Sequence, residues 1–158
     1  VLPHMRRNGY GRLVNISSMA GKVYTPFGAW YHASKHALEG WSDCLRLEVT
    51  PFGIDVVVIE PGGIKTPWGE IAADNLKKTS GSGAYAEEAN KTAESTVTLY
   101  ASDHLTEPEV IGRVIVKAVT ARKPKTRYVK GYGAKLAIVL RNLLPDRVFD
   151  KIIKWQMS

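Results

Sequence analysis

The sequence has little of what extracellular and membrane-spanning proteins use. Its 158 residues include one cysteine, Cys44, so the chain cannot form an intramolecular disulfide. Its longest apolar runs, residues 56–59 and 136–140, are far too short to cross a bilayer. The first residues contain no basic segment that leads into an apolar one, so we expect no secretion signal and a cytoplasmic protein.

Positive charge is concentrated in the last third of the chain. Residues 113–158 hold 12 of the 22 Lys and Arg residues but only two of the 15 Asp and Glu residues. Such a segment can bind nucleic acid or anionic lipid, a hypothesis that we rank third. The cations are spaced among apolar residues at helical intervals without an aromatic platform, which favours a solvated helix face. We therefore expect no nucleic-acid partner and no membrane association.

The apolar residues predict strands alternating with helices. The segments 12–17, RLVNIS, and 54–60, IDVVVIE, are mainly apolar and β-branched without polar alternation, which predicts strands that are buried on both faces. Between them, apolar residues recur every three or four positions over 29–50, which predicts a long helix that ends before Pro51. A third strand is predicted at 126–131. This alternation predicts an α/β fold with a parallel sheet.

The remaining segments predict further helices. Residues 70–105 are polar and predict weakly helical segments around a flexible joint at 81–83, Gly-Ser-Gly. A helix is predicted to begin at Pro108 and to end before Pro124, and two terminal amphipathic helices are predicted on either side of Pro145. The opening residues, VLPHMRR, are typical of the tail of a helix, so we expect the natural protein to start upstream.

Three chemistry-bearing residues are predicted at one edge of this sheet. Parallel sheets bind ligands beyond the C-terminal ends of their strands, which here places the loops 17–28 and 61–68 at one edge. The first loop contains Ser18, and the helix that follows carries Tyr31 and Lys35 on one face, four residues apart. An ammonium favours the phenolate and lowers the pKa of a nearby tyrosine from about 10 toward the range useful for proton transfer.

The alternative is that the pairing of Tyr31 with Lys35 is accidental. A tyrosine and a lysine four residues apart are common on helices, and Lys35 alone would be a solvated cation. Their combination with Ser18, thirteen residues before Tyr31, and with a Pro-Gly loop after the next buried strand favours an active site.

Three segments resemble the catalytic half of the short-chain dehydrogenase/reductase family: GRLVNISSMAG, YHASKHALEGWSDCLRLEV and GIDVVVIEPGGIKTP. The resemblance implies a Rossmann-like, doubly wound parallel sheet and an NAD(P)-dependent oxidoreductase that interconverts an alcohol and a carbonyl by hydride transfer. It implies that Ser18 is catalytic, with Ser17 as its helper or a loop residue. Tyr31 would be the general acid/base, and Lys35 would bind the nicotinamide ribose and support the tyrosine.

The resemblance also implies a cofactor, a substrate class and a partner. The cofactor is NAD or NADP, with NADP slightly preferred. Tyr31 and Lys35 would bind the cofactor together with four residues of the Pro-Gly loop, which are Pro61, Gly62, Ile64 and Thr66. Trp68 would contact the substrate beside Ser18 and Tyr31. The aromatic lid and a tail similar to those of 17β-hydroxysteroid and retinol dehydrogenases imply an apolar alcohol or ketone. Helix 29–50 implies a homodimer or homotetramer.

The sequence departs from the family in its missing motifs. It contains no TGxxxGxG turn, no NNAG segment and no catalytic asparagine on the helix before the serine loop. We therefore expect 1–158 to be the C-terminal part of one domain, with a catalytic core at 1–68, a substrate lid at 69–107 and a last helix, strand and basic helices at 108–158. The alternative function is a truncated, non-catalytic fragment or dimerisation module that lacks cofactor binding.

The other candidate residues have structural interpretations. None of the histidines has a partner at metal-ligand spacing, so no metal site is expected. We expect solvent or packing roles for His32 and His36, and a core or interface position for Cys44. Asn15 is expected to bond to backbone near the serine loop.

Overall fold

The computed structural model describes residues 1–157 and has an α/β fold. Its sheet consists of three parallel strands in the order β1-β2-β3, which are β1 Gly11–Ile16, β2 Ile54–Pro61 and β3 Arg127–Lys130. Ile16 lies opposite Ile59 in the first pair of strands, and Pro61 lies opposite Lys130 in the second. The predicted parallel α/β architecture is therefore confirmed.

The helices agree closely with those predicted from periodicity. In the described residues they are α1 Leu2–Asn8, α2 Ala29–Val49, α3 Trp68–Ser80, α4 Ala86–Ala101, α5 Pro108–Thr120, α6 Ala134–Leu143 and α7 Asp146–Met157. α2 passes into a 3-10 turn, Thr50–Phe52, that Pro51 helps to start. Gly53 then adopts a left-handed conformation, with φ 69°, and lies so close to the Gly9 carbonyl that a Cβ would be 2.3 Å from its oxygen.

β2 is the centre of the core, because helices cover both of its faces. The two clusters are Leu45, Val49, Ile54 and Val56 on the α2 side, and Val57, Ile59 and Ala118 on the α5 side. Complete burial of a Val or Ile side chain contributes about 1.5–3 kcal/mol. This double burial explains why the sequence of β2 is apolar without alternation.

Residues 68–101 form a hairpin of two well-defined helices, where the sequence predicted only weak helicity. α3 and α4 approach through small side chains, since Ala73, Ala89 and Ala93 are all buried. Gly69 contacts the Tyr100 ring, and a Cβ at Gly69 would lie 2.2 Å from that ring. The sequence pattern did not reveal this contact between the helices, because alanine and glycine contribute little to an apolar pattern and the other residues of the segment are mostly polar.

Two further findings concern the exposed parts of the fold. β1 is an edge strand within residues 1–157 and pairs with β2. No helix in that range is both long and apolar enough to cross a membrane. Cys44 is exposed on α2, so the core position considered for it is wrong.

Candidate active site

The loops that follow β1 and β2 meet at the C-terminal edge of the sheet. Ser17 and Ser18 directly follow β1, and Pro61 ends β2. The Ser17 N–H donates to the Ile59 carbonyl at 2.8 Å and so joins the two strand ends. The sequence-predicted meeting of the two loops is therefore present in the structure.

The Ser18 hydroxyl lies between these two loops. Its Oγ caps the 3-10 turn Met19–Gly21 by accepting the Ala20 N–H at 3.1 Å. The hydroxyl also donates to the Pro61 carbonyl at 3.5 Å, which is long for an O–H donor. The Ser18 oxygen is thus held in place while its proton is weakly engaged and can turn to a better acceptor.

Tyr31 and Lys35 lie one turn apart at the start of α2. The Lys35 Nζ is 5.8 Å from the centroid of the Tyr31 ring, within cation–π range. It also donates to the Ile16 carbonyl at 3.1 Å, which fixes the ammonium at the end of β1, two residues before Ser18. An ammonium has three N–H donors, and this bond uses one of them. Lys35 therefore has donors left for a ligand.

His32 holds the serine loop against α2, a role that the sequence did not identify. Its Nδ1 is 3.0 Å from the Ala20 carbonyl, and its Nε2 accepts the Thr25 N–H at 3.1 Å. Because a carbonyl only accepts and an N–H only donates, the proton of the neutral ring lies on Nδ1. The ring leaves no room beside Gly28, where a Cβ would lie 2.7 Å from it. His36 is exposed and bonds through Nδ1 to the His32 carbonyl at 2.9 Å.

Trp68 lies beside Tyr31 and forms a row of aromatic rings with it. The ring centroids of Tyr31 and Trp68 are 5.4 Å apart, and those of Trp68 and Tyr100 are 5.9 Å apart. Burial raises the pKa of Tyr100, so its phenol stays neutral. Tyr85 belongs to a separate contact, 6.5 Å from the Phe27 ring. The row of rings gives the site an apolar wall next to Tyr31.

The loop after β2 is fixed by backbone bonds on two sides. The Gly62 N–H donates to the Lys130 carbonyl at 2.8 Å, and a Cβ at Gly62 would lie 2.3 Å from the Tyr132 backbone carbonyl oxygen. Ile64 bridges to Thr106. The exposed Thr66 hydroxyl makes one long bond, 3.5 Å, to the Ile64 carbonyl. The sequence-predicted cofactor residues therefore lie on a rigid turn beside Ser18.

A partly buried ionic cluster, which the sequence pattern did not predict, joins α2, β2 and β3. Arg127 Nη2 is 2.7 Å from Asp43 and 3.0 Å from Glu39, and Arg127 Nε is 3.2 Å from Glu60. Lys22 Nζ lies 3.2 Å from Glu39. Two features of the sequence pointed to this cluster: Glu39 interrupts the buried face of the long helix, and Glu60 ends an apolar buried strand.

The pKa values of two carboxyl groups in this cluster, Asp43 and Glu60, are shifted in opposite directions. The hydrogen bond from Arg127, helped by Arg46, lowers the pKa of Asp43 to about 2. Burial and then the charge of Glu39 raise the pKa of Glu60 to about 7. The interior beneath the site therefore contains one carboxyl group that changes charge near neutral pH.

Asn15, near the end of β1, bonds to a side chain of α2. Asn15 Nδ2 donates to the buried Ser42 hydroxyl at 2.9 Å, so its partner is a side chain instead of the predicted backbone. Within residues 1–157, no three His, Cys, Asp or Glu side chains group as metal ligands.

Comparison with known proteins identifies the family. The family model for short chain dehydrogenases matches residues 1–77, a range that contains Ser18, Tyr31 and Lys35. The chain is 35% identical to VdlC of Helicobacter pylori, a probable short-chain type dehydrogenase/reductase, over 97% of this chain and 55% of that protein. The chain belongs to the short-chain dehydrogenase/reductase family.

Other short-chain dehydrogenases agree in fold and in extent. Human retinol dehydrogenase 5 is 33% identical over 92% of this chain and 48% of its own length, in line with the resemblance to that subgroup. A crystal structure of a short-chain dehydrogenase from Streptomyces avermitilis superposes with a TM-score of 0.68 at 30% identity, over 98% of this chain and 54% of that one. The chain thus has the family's Rossmann-like fold and spans about half the length of these relatives.

Proposed function

We propose that the natural protein is an NAD(P)-dependent oxidoreductase that interconverts an alcohol and a carbonyl compound. The observation that carries the proposal is the convergence of Ser18, Tyr31 and Lys35 at the end of β1, with the Lys35 ammonium fixed 3.1 Å from the Ile16 carbonyl. Such a group of donors suits proton transfer to and from a substrate oxygen. The chain spans about half the length of its relatives, so we propose this activity for the protein as the cell makes it.

Each side chain has one task in the proposed reaction. The nicotinamide cofactor supplies or accepts the hydride when it is bound. Tyr31 gives its phenolic proton to the substrate oxygen in reduction and takes a proton back in oxidation. Ser18 donates a hydrogen bond to the same oxygen and stabilises the negative charge that develops there. Lys35 stabilises the phenolate that remains on Tyr31.

The residues present fit the nicotinamide-ribose end of such a cofactor. Lys35 has N–H donors left after its bond to Ile16, and ribose hydroxyls are suitable acceptors. We propose that the rigid turn after β2 lines the nicotinamide, through Pro61, Gly62, Ile64 and Thr66. NAD and NADP are both candidates, and NADP is the first to test.

The proposed substrate is an apolar alcohol or ketone. Trp68 supports this proposal because its ring lies 5.4 Å from that of Tyr31 and is 45% exposed, so a substrate at Tyr31 would contact it. Aromatic faces bury large apolar areas, which favours a sizeable substrate over a small polar one. We propose that residues 69–107 act as the substrate lid.

A homodimer or homotetramer through α2 is the proposed assembly. Trp30 and Trp41 lie eleven residues apart, which places them on one side of the helix about three turns apart. They are 90% and 54% exposed, which is unusual for tryptophan in a monomer. The cytoplasm remains our prediction for the location.

Dinucleotide-dependent turnover tests the proposal. The natural protein is incubated with NADPH or NADH and a series of ketones of increasing apolar size, and the loss of reduced nicotinamide is followed. We expect turnover with NADPH and a higher kcat/KM for the larger apolar ketones. A protein that forms dimers but neither binds nor oxidises either dinucleotide would instead be the non-catalytic dimerisation module, the alternative that the exposed tryptophans of α2 favour.

A further inference from the structure

The two buried glutamates, Glu39 and Glu60, both contact Arg127 close to the candidate site. Their side chains are 4% and 2% exposed. Glu39 Oε2 contacts Lys22 at 3.2 Å and Arg127 Nη2 at 3.0 Å. Glu39 Oε1 is buried without a hydrogen-bond partner, and Glu60 Oε1 has an ionic contact with Arg127 Nε at 3.2 Å that is not aligned as a hydrogen bond. A buried carboxylate oxygen without a donor is costly, so this arrangement needs an explanation.

One proton held between the two carboxyl groups would give the pair a hydrogen bond and remove one of its two negative charges. The two carboxyl groups meet at one nitrogen atom, since Arg127 Nε lies 3.1 Å from Glu39 Oε2 and 3.2 Å from Glu60 Oε1. If Glu60 is protonated, its hydroxyl donates to Glu39, so a donor and an acceptor replace two repelling charges. Two ionised carboxylates in the same interior would instead repel each other in a medium that screens charge poorly.

The surrounding charges favour the proton on Glu60 and the negative charge on Glu39. Glu39 receives both cations that reach the pair, Lys22 and the Arg127 guanidinium. Glu60 has one ionic contact, Arg127 Nε at 3.2 Å, and Arg127 Nε also donates to Glu39 at 3.1 Å. Asp43 is the remaining acid on this face of α2, and Arg46 and Arg127 both bind it.

The pair also joins the structural elements that carry the candidate site. Glu60 directly precedes Pro61 and the rigid turn, and Glu39 lies one helical turn after Lys35. The loop after Ser18 reaches the cluster through Lys22 and through Gly21, where a Cβ would lie 2.8 Å from Glu39 Cγ. A change in the charge of the pair would therefore act on all three elements.

We propose that Glu39 and Glu60 share one proton, and that this carboxyl pair positions the end of β2 against α2. The positioning role rests on the proposed function, whereas the shared proton does not. In this arrangement the turn after β2 stays in register with Tyr31 and Lys35 as long as the proton is present. Loss of the proton separates the two carboxylates and loosens the turn.

The shared proton is tested by the pH dependence of unfolding in the full chain. Folded Glu60 keeps a proton that the unfolded chain loses, because burial and Glu39 raise its pKa to about 7 from 4.5. Unfolding then releases a proton between those pH values, so wild-type stability falls as pH rises through that window. We expect the unfolding constant of wild type relative to E60Q to rise by up to about tenfold per pH unit there. E48Q, the same change at an exposed site on α2, should follow wild type.

An infrared measurement on the wild type keeps the proposal testable if E60Q does not fold. We expect the carbonyl stretch of a protonated carboxylic acid in the folded chain at pH 6, and its disappearance as pH rises past about 7. Absence of that band at pH 6, or parallel unfolding profiles for wild type and E60Q, would show that both glutamates are ionised and would overturn the proposal.

The positioning role has its own readouts. Gln at position 60 keeps a neutral partner for Glu39, so E60Q should hold the turn at all pH values. We compare the hydrogen-exchange rates of the Gly62 and Gly63 amides in wild type with those in E60Q. We expect this wild-type to E60Q ratio to be several-fold larger at pH 8.5 than at pH 6. Over the same pH range, the wild-type KM for dinucleotide should rise while kcat is less affected. Equal exchange in the two proteins at both pH values would refute positioning. If turnover is absent altogether, the proposed function fails, while exchange and unfolding still decide the inference.

Discussion

The Lys35 ammonium donates a hydrogen bond to the Ile16 carbonyl at 3.1 Å. This bond joins the helix that carries Tyr31 to the strand that leads into Ser18, so the backbone segments that carry Ser18, Tyr31 and Lys35 are fixed relative to one another. A backbone carbonyl at the end of a strand still needs a hydrogen-bond donor, and here Lys35 provides it instead of a residue of the sheet. The bond to Ile16 also explains why a lysine, with a long flexible side chain, can serve as a fixed charge.

Replacing Lys35 should affect catalysis more than folding. We expect K35M to lower kcat by at least about 100-fold in the natural protein, the lower part of the range for positioned acid–base groups, because the phenolate of Tyr31 loses its stabilising charge. The pH–rate profile should also move to higher pH. The control K35R keeps a cation and should retain more activity than K35M. An unchanged pH profile in K35M would contradict the assigned role.

The neighbouring serines provide a matched pair. The Ser18 hydroxyl lies between the two loops of the site and donates to the Pro61 carbonyl, whereas Ser17 Oγ is buried without a hydrogen-bond partner. We expect S18A to reduce kcat by about 100-fold, the loss typical of one oxyanion donor. S17A should retain kcat within a few-fold, since it removes a hydroxyl that bonds to nothing. Steady-state kinetics of both variants test the assignment, and equal losses would contradict it.

His32 should contribute to stability through its bonds to the serine loop. H32A leaves the Ala20 carbonyl and the Thr25 N–H without a partner. We expect a loss of about 1–3 kcal/mol in the free energy of unfolding, the cost of unsatisfied buried groups. H36A changes an exposed histidine of the same helix and should alter stability by less than about 0.5 kcal/mol. Denaturant titration of both variants measures the difference.

Two glycines should respond to alanine with opposite signs. A Cβ at Gly69 would lie 2.2 Å from the Tyr100 ring, so G69A forces α3 away from α4 and displaces Trp68. We expect a destabilisation of about 1–3 kcal/mol, as for other overpacked cores. At Gly40, inside α2, a Cβ meets nothing within 4 Å, so G40A should stabilise by up to about 1 kcal/mol. Thermal unfolding of the two variants decides whether the hairpin packing is as described.

The sequence was sufficient to predict the parallel sheet and the proximity of Tyr31 and Lys35 on one side of α2. Double burial made the middle of β2, residues 56–59, apolar, and α2 has a clear helical period, so these elements are encoded by local pattern. The YxxxK spacing then placed Tyr31 and Lys35 on one side of α2 without further information.

The sequence was not sufficient where polar residues are buried. Glu39, Glu60 and Arg127 come from three different elements. The two glutamates interrupt apolar surroundings in the sequence, but no local pattern identifies Arg127 as their partner. Their burial depends on partners that only the fold brings together. The hairpin of α3 and α4 was underestimated for a related reason, because its contacts are made by alanine and glycine.

Substitution of Tyr31 by phenylalanine in the natural protein tests the central claim most directly. Y31F removes the proton donor and keeps the ring against Trp68, so dinucleotide affinity and unfolding temperature should stay close to those of wild type. We expect turnover to fall by at least about 100-fold, the minimum for loss of a general acid/base. Turnover at the wild-type rate in a folded, dinucleotide-binding Y31F protein would contradict the account.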